Sequence, residues 1–165
     1  MAAVDYFLKM DGIEGESQDL KHKGEIQLES FSWGVHNTVS AGATSGRSAG
    51  RASFEDFHFT APTSKASPKL MFACASGQHI KTATLTCRKA GDVEKSGQDF
   101  LMIKMETVLI SSYNEAGSQQ ASDGVPQDSV ALNFTKITFT FTPQNADGAL
   151  GTPVTESWDL KANKA

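Results

Sequence analysis

The chain has 165 residues, 39% hydrophobic and 21% charged, with a formal net charge of −4. That is one domain's length, enough to bury on the order of 70% of the unfolded chain's surface without help from a disulfide. No basic block is present to neutralise phosphates, which argues against a nucleic-acid partner, and the longest apolar run, residues 70–75, is far short of the roughly 20 residues a membrane-spanning helix needs.

The opening MAAVDYFLKMDG puts Asp5 and Asp11 where a signal peptide requires an apolar centre, so export by that route is not expected. Residues 4–10 (VDYFLKM) read as a strand, closed by the turn dipeptide Asp11-Gly12. Residues 25–35 (EIQLESFSWGV) read as a second strand with Ile26 and Leu28 on one face. Parity changes when Phe31 and Trp33 become the large apolar residues, which predicts a bulge near Ser30 or Phe31 and leaves the direction of Ser32 to that bulge.

Residues 40–52 (SAGATSGRSAGRA) are small apart from Arg47 and Arg51. Such a segment cannot bury enough apolar area to order itself and is expected to be a mobile loop, functional or disordered, that orders on assembly if the two readings coincide. Asp5, Asp11, Glu14, Glu16, Asp19, Glu25 and Glu29 crowd the first thirty residues, whereas the two arginines stand in an acid-free stretch. A solvated acidic face and a contact between subunits are equally open readings of that asymmetry. Residues 53–60 follow as a strand in which Phe57 and Phe59 alternate with His58 and Thr60.

The segment SPKLMFACASG, residues 67–77, predicts one short helix, about Pro68 to Ser76. Ser67 is placed to cap the orphan amides, Pro68 has the φ wanted at the first helical position, and Gly77 suits a left-handed end. Leu70, Met71 and Cys74 form one face; Phe72 lies off it and is read as a second core contact, with an outward residue as the alternative.

Strands are expected over 80–88, 100–113, 131–142 and 154–160. In the third, ALNFTKITFTFT, Leu132, Phe134, Ile137, Phe139 and Phe141 stand against Thr and Lys, so its other face suits an exposed or assembly-facing surface. Seven or so strands, turns between them and one helix make a mainly β domain spanning 1–165, a compact two-sheet sandwich or small barrel.

Catalytic signatures are missing. There is no G-x-S-x-G elbow and no phosphate-binding loop. His22, His36, His58 and His79 lie singly and are read as surface or strand histidines rather than zinc ligands. Glu55 and Asp56 are adjacent and, in a strand, would point to opposite faces. Cys74 and Cys87 read as small buried thiols. No enzyme activity, metal or cofactor is expected.

The segments DYFLKMDGIEGES, ESFSWG, SPKLMFACASGQHIKTATLTCRKAG, ALNFT and PQNADG occur, in that order, as in the Hcp (haemolysin-coregulated protein) family of bacterial type VI secretion, which the whole chain resembles. The resemblance implies a β-barrel whose hexameric rings stack into a tube expelled by a contracting sheath, with small effector proteins carried and chaperoned in the lumen. It implies spike and sheath components as further partners, and cytoplasmic assembly followed by secretion without a signal peptide. Residues 40–52 match the family's extended loop, so Arg47 and Arg51 are implied to reach a neighbouring subunit, and Ser32 matches a position facing the lumen. No fused effector domain is expected, since the chain stops about five residues after its last strand. The alternative is a monomeric β-sandwich that binds sugar or peptide, or a small hydrolase on that scaffold, which requires a concave cluster of aromatic and polar groups.

Overall fold

In the computed structural model, residues 3–42, 46–90, 97–120 and 122–165 are described, those at 40–42 and 46–49 by their backbone alone. In chain order the strands are β1 (Val4–Met10), β2 (Ile26–Leu28), β3 (Ser30–Ser32), β4 (Val35–Gly42), β5 (Gly46–Phe54) and β6 (Phe57–Pro62). The helix α1 (Ser67–Ser76) follows, then β7 (Ile80–Lys89), β8 (Gln98–Ala116), β9 (Gln127–Asn133), β10 (Lys136–Phe141) and β11 (Val154–Asp159).

The long strand β8 organises everything else. One of its edges pairs with β10 over Leu101–Glu106 and then with β9 over Leu109–Ala116; the other pairs with β7 from Gln98 to Val108. Strand β1 lies between β7 and β2, β6 lies between β9 and β3, and β11 hangs on β10; all these pairs are antiparallel. Thus β8 belongs to one sheet through its first half and to another through its second, and β2 packs against β6 on the far side. The changeover falls at Thr107, whose φ of 51° is rare for a β-branched residue. The enclosed core includes Leu8, Phe57, Phe59, Leu85, Ile103, Met105, Val108 and Leu132.

The reading of residues 131–142 as one run needs a correction: it is two strands, β9 and β10, on the same edge of β8. They separate at Phe134 and Thr135 because their outer neighbours differ, β6 for one and β11 for the other. The strand read over 25–35 divides likewise, β2 joining β1 and β3 joining β6. The parity change found in the sequence marks that switch, and the Glu29 N–H donates to the Thr60 carbonyl at 2.8 Å as the chain crosses over.

The segment read as an extended loop is the distal part of the antiparallel β4–β5 hairpin, from Val35↔Phe54 to Gly42↔Gly46, with a register shift between Asn37 and Val39. Small residues supply no core, but they leave backbone pairing unobstructed. Gly50 needs to be small: a Cβ there would lie 2.5 Å from the Thr38 carbonyl oxygen. Strand β5 ends at Phe54, so the strand predicted over 53–60 begins properly at Phe57.

Helix α1 ends at Gly77 in the left-handed conformation, φ 68°, as its sequence requires. Its start differs from expectation. The N-cap is Ala66, with no side-chain cap, because the Ser67 hydroxyl is already engaged: it accepts the Ser64 N–H at 2.9 Å and donates to Asp128. Leu70 and Ala73 are buried, whereas Met71 and Phe72 are exposed, so Phe72 is the outward residue and not a second core contact.

Candidate functional site, a polar sheet face

The strands β3, β6, β9 and the second half of β8 present alternating faces, interrupted where Ala131 is buried beside the register shift between Ile110 and Ser112. Along β6, Phe57, Phe59 and Ala61 are buried while His58 and Pro62 are exposed; along β9, Val130 and Leu132 are buried while Ser129 and Asn133 are exposed. The outward set makes a shallow concavity of about 440 Å³ lined by small polar groups.

The register arranges that set in rows. Ser32 stands opposite His58, which stands opposite Ala131 and then Ser112. The next row is Ser30, Thr60, Ser129 and Asn114, with the Ser30 and Thr60 hydroxyls 2.6 Å apart. Beyond His58, the Asp56 carboxylate accepts the Ser111 hydroxyl at 2.6 Å and the Asn133 amide at 3.0 Å. At the other end the Glu29 carboxylate accepts the Gln127 amide. Ser32 is exposed on this face, and β3 is the short strand that delivers it there.

A second surface, which sequence reasoning did not anticipate, is an apolar groove of about 490 Å³ between the base of the β4–β5 hairpin and the β10–β11 pair. It brings Trp33 and Trp158 together with Phe54 and Phe139, and exposed Val35 lies on its wall. The two tryptophans are 125 positions apart in the sequence, and only the hydrogen-bonding of β11 to β10 reveals that they share a groove.

The arginines and the acids of the first thirty residues are not brought together. An Arg51 Nη lies 3.5 Å from the Leu160 carbonyl oxygen of its own chain, and the Arg47 side chain is outside the described residues. Several acids have other partners: Glu14 is 3.7 Å from Lys65, and Asp19 and Glu25 join a cluster around His22.

That cluster corrects the reading of His22 as a surface or strand histidine. The ring is 7% exposed, stacks on Phe7 with centroids 4.7 Å apart, and presents Nδ1 to Glu25 at 2.8 Å and Nε2 to Asp99 at 3.1 Å. Arg88 completes the cluster, donating to Asp99 at 3.0 Å and lying 3.8 Å from Asp19. Burial alone would raise the Asp19 carboxyl, but the N–H groups of Lys21 and His22 and the charge of Arg88 hold it below its usual value. These contacts pin the loop between β1 and β2 to β7 and β8. Among the described residues no group of three or more His, Cys, Asp or Glu side chains could hold a metal ion.

The fold and this face can be set beside known proteins. The family described as "Type VI secretion system effector, Hcp" matches residues 7–141. The chain belongs to the Hcp family. It is 38% identical to the Hcp1 protein of Pseudomonas aeruginosa over 162 residues, 98% of each chain. Among solved structures, one described as a type six secretion system protein superposes with a TM-score of 0.89 at 31% identity, covering 98% of this chain and 99% of the other. Hcp1 of Salmonella typhimurium superposes with a TM-score of 0.78 at 34% identity, covering 99% of each chain. Membership in the Hcp family accounts for the mainly β architecture, and the family is one of type VI secretion tube and effector proteins.

Proposed function

We propose that this Hcp-family chain is the structural subunit of a type VI secretion tube. Six copies close into a ring, rings stack, and sheath contraction expels the stack. The observation that carries this reading is the polar sheet with two open edges. Among the described residues no strand pairs with the outer edge of β3, and none pairs with the second half of β8 opposite β9. Two different open edges on one sheet permit head-to-tail pairing of copies, the kind of contact that generates a ring. The small polar face would then become the inner wall, with Ser32 facing small effector proteins carried there. The apolar groove at Trp33 and Trp158 supplies area for burial between copies.

The chain acts by assembly and transport rather than turnover. Its partners are its own copies, effectors in the lumen, and the spike and sheath; it assembles in the cytoplasm and is then secreted. Light scattering coupled to gel filtration of the untagged chain is the test. A mass near six times 17.6 kDa is expected, and a clean monomer at low micromolar concentration would overturn the ring.

The β4–β5 hairpin reaches a neighbouring subunit, with Arg47 and Arg51 among its contacts. Reversing both to Glu should abolish ring stacking in electron micrographs, and unaltered stacks would remove them from the contact.

A further inference from the structure

The polar face is uneven in charge. Its centre is hydroxyl, amide and imidazole, and its two ends carry carboxylates, Glu29 beside Gln127 and Asp56 between Ser111 and Asn133. Their partners Asn133 and Gln127 stand at opposite ends of β9, so the two carboxylates lie on the order of 20 Å apart at strand spacing. No lysine or arginine lines the concavity between them.

The partners of the two acids matter. Elsewhere Glu14, Asp19, Glu106 and Asp99 have a lysine or arginine within 4 Å. Asp56 and Glu29 have only neutral donors among the described residues, so their charge is directed outward. Hydrogen bonds from Ser111 and Asn133 orient the Asp56 carboxylate. The face therefore combines shallow shape, many neutral hydrogen-bonding groups and one sign of charge, a combination that selects partners by sign and leaves them free to shift.

We propose that this face takes a protein partner whose contact surface is basic, lysine or arginine side chains reaching Glu29 and Asp56 while neutral polar groups meet the serines and Thr60. The inference rests on the tube reading for its setting, where the face is the inner wall. It adds the chemistry of the cargo: basic surfaces are accepted and acidic ones rejected. In a closed ring each carboxylate would recur six times, which multiplies a weak contact.

The test uses the full untagged chain with cytochrome c as a basic probe and lysine-acetylated cytochrome c as its neutralised counterpart, with binding read by fluorescence anisotropy at low and moderate salt. Native cytochrome c should bind at least tenfold more tightly than the acetylated form. The Glu29→Gln/Asp56→Asn double variant should lose that preference, and Ser32→Arg should weaken binding of the native probe. Because the whole chain is acidic, the pair Asp11→Asn/Glu16→Gln serves as the control and should leave binding unchanged. Equal binding of both probe forms, or an equal loss in the control pair, overturns the proposal. The oligomeric mass of each variant is measured alongside, so failure of the ring is seen separately from failure of the charge preference.

Discussion

The Ser67 hydroxyl donates a hydrogen bond to the buried Asp128 carboxylate across 61 positions of sequence, joining the first turn of α1 to β9. Asp128 also accepts the Thr63 hydroxyl at 2.9 Å and the Tyr113 hydroxyl at 3.0 Å, so one 2%-exposed carboxylate ties the helix, the preceding loop and the second half of β8 together. Replacing it with alanine leaves Ser67 without this acceptor and Thr63 and Tyr113 with only the longer contacts to Glu115 at 3.5 and 3.4 Å, each lost bond worth about 1 kcal/mol or more. Asp128→Ala should lose about 3–4 kcal/mol in urea denaturation; a loss below about 1 kcal/mol would show that the knot contributes little.

Thr107 should be replaceable with advantage. A left-handed backbone costs an L-residue about 1–2 kcal/mol, glycine gives back about 0.5–1 kcal/mol of that in chain entropy, and the Thr107 side chain is exposed, so little packing is lost. Thr107→Gly is expected to be more stable by up to about 1 kcal/mol, raising Tm by about 2–4 °C. Thr107→Val should gain nothing. A lowered Tm for the glycine variant would mean that the threonine is favoured by something other than its backbone.

Stability should decline at alkaline pH. Burial pushes the Cys87 thiol from 9.0 up to about 11. Burial and then the hydrogen bond to Asp128 push the Tyr113 hydroxyl from 10.0 up to about 12. Both folded values exceed the unfolded ones, so the folded chain retains protons that the unfolded chain releases. This stabilisation is complete below pH 9 and is lost progressively between pH 9 and 12. The urea midpoint should fall over that window, and in Cys87→Ala the fall should begin about one pH unit later. A midpoint constant from pH 8 to 11 would contradict the assignment.

Gly50→Val should damage the hairpin and spare the barrel. The added Cβ would sit 2.5 Å from the Thr38 carbonyl oxygen, closer than real Cβ contacts, so the β4–β5 register must shift. Amide hydrogen exchange should speed up in β4 and β5 while protection of β7 and β8 stays unchanged. Uniform loss of protection would mean that the hairpin is integral to the core.

Much of this architecture is written in local patterns. The alternation in β6, the Asp11-Gly12 turn with Gly12 at φ 80°, and the Pro68 and Gly77 signals of α1 all operate within a few residues, and each is legible. Partner exchange shows only as a shift of parity, which marks the place and not the new neighbour. In residues 131–142 the apolar set moves from Leu132 and Phe134 to Ile137, Phe139 and Phe141, so its parity shifts where the chain changes its outer neighbour, yet alternation reports a face and never a partner. Ser67 was readable as a cap only while Asp128 was unseen. The hairpin was hidden because Gly, Ser and Ala carry little strand preference, and its pairing uses backbone groups that every residue has. The polar face was partly visible at Ser32, but its rows come from register, and the acidic ends from residues 27 positions apart.

As one 19-residue strand, β8 has a contour on the order of 60 Å at about 3.3 Å per residue, bonded along its length to β7, β9 and β10. A force applied along it meets these ladder bonds side by side, sharing the load, instead of opening them one at a time. A subunit pushed from one end would therefore pass thrust through the ladders on either side of Thr107, and the face built on the second half of β8 would travel with the body built on its first.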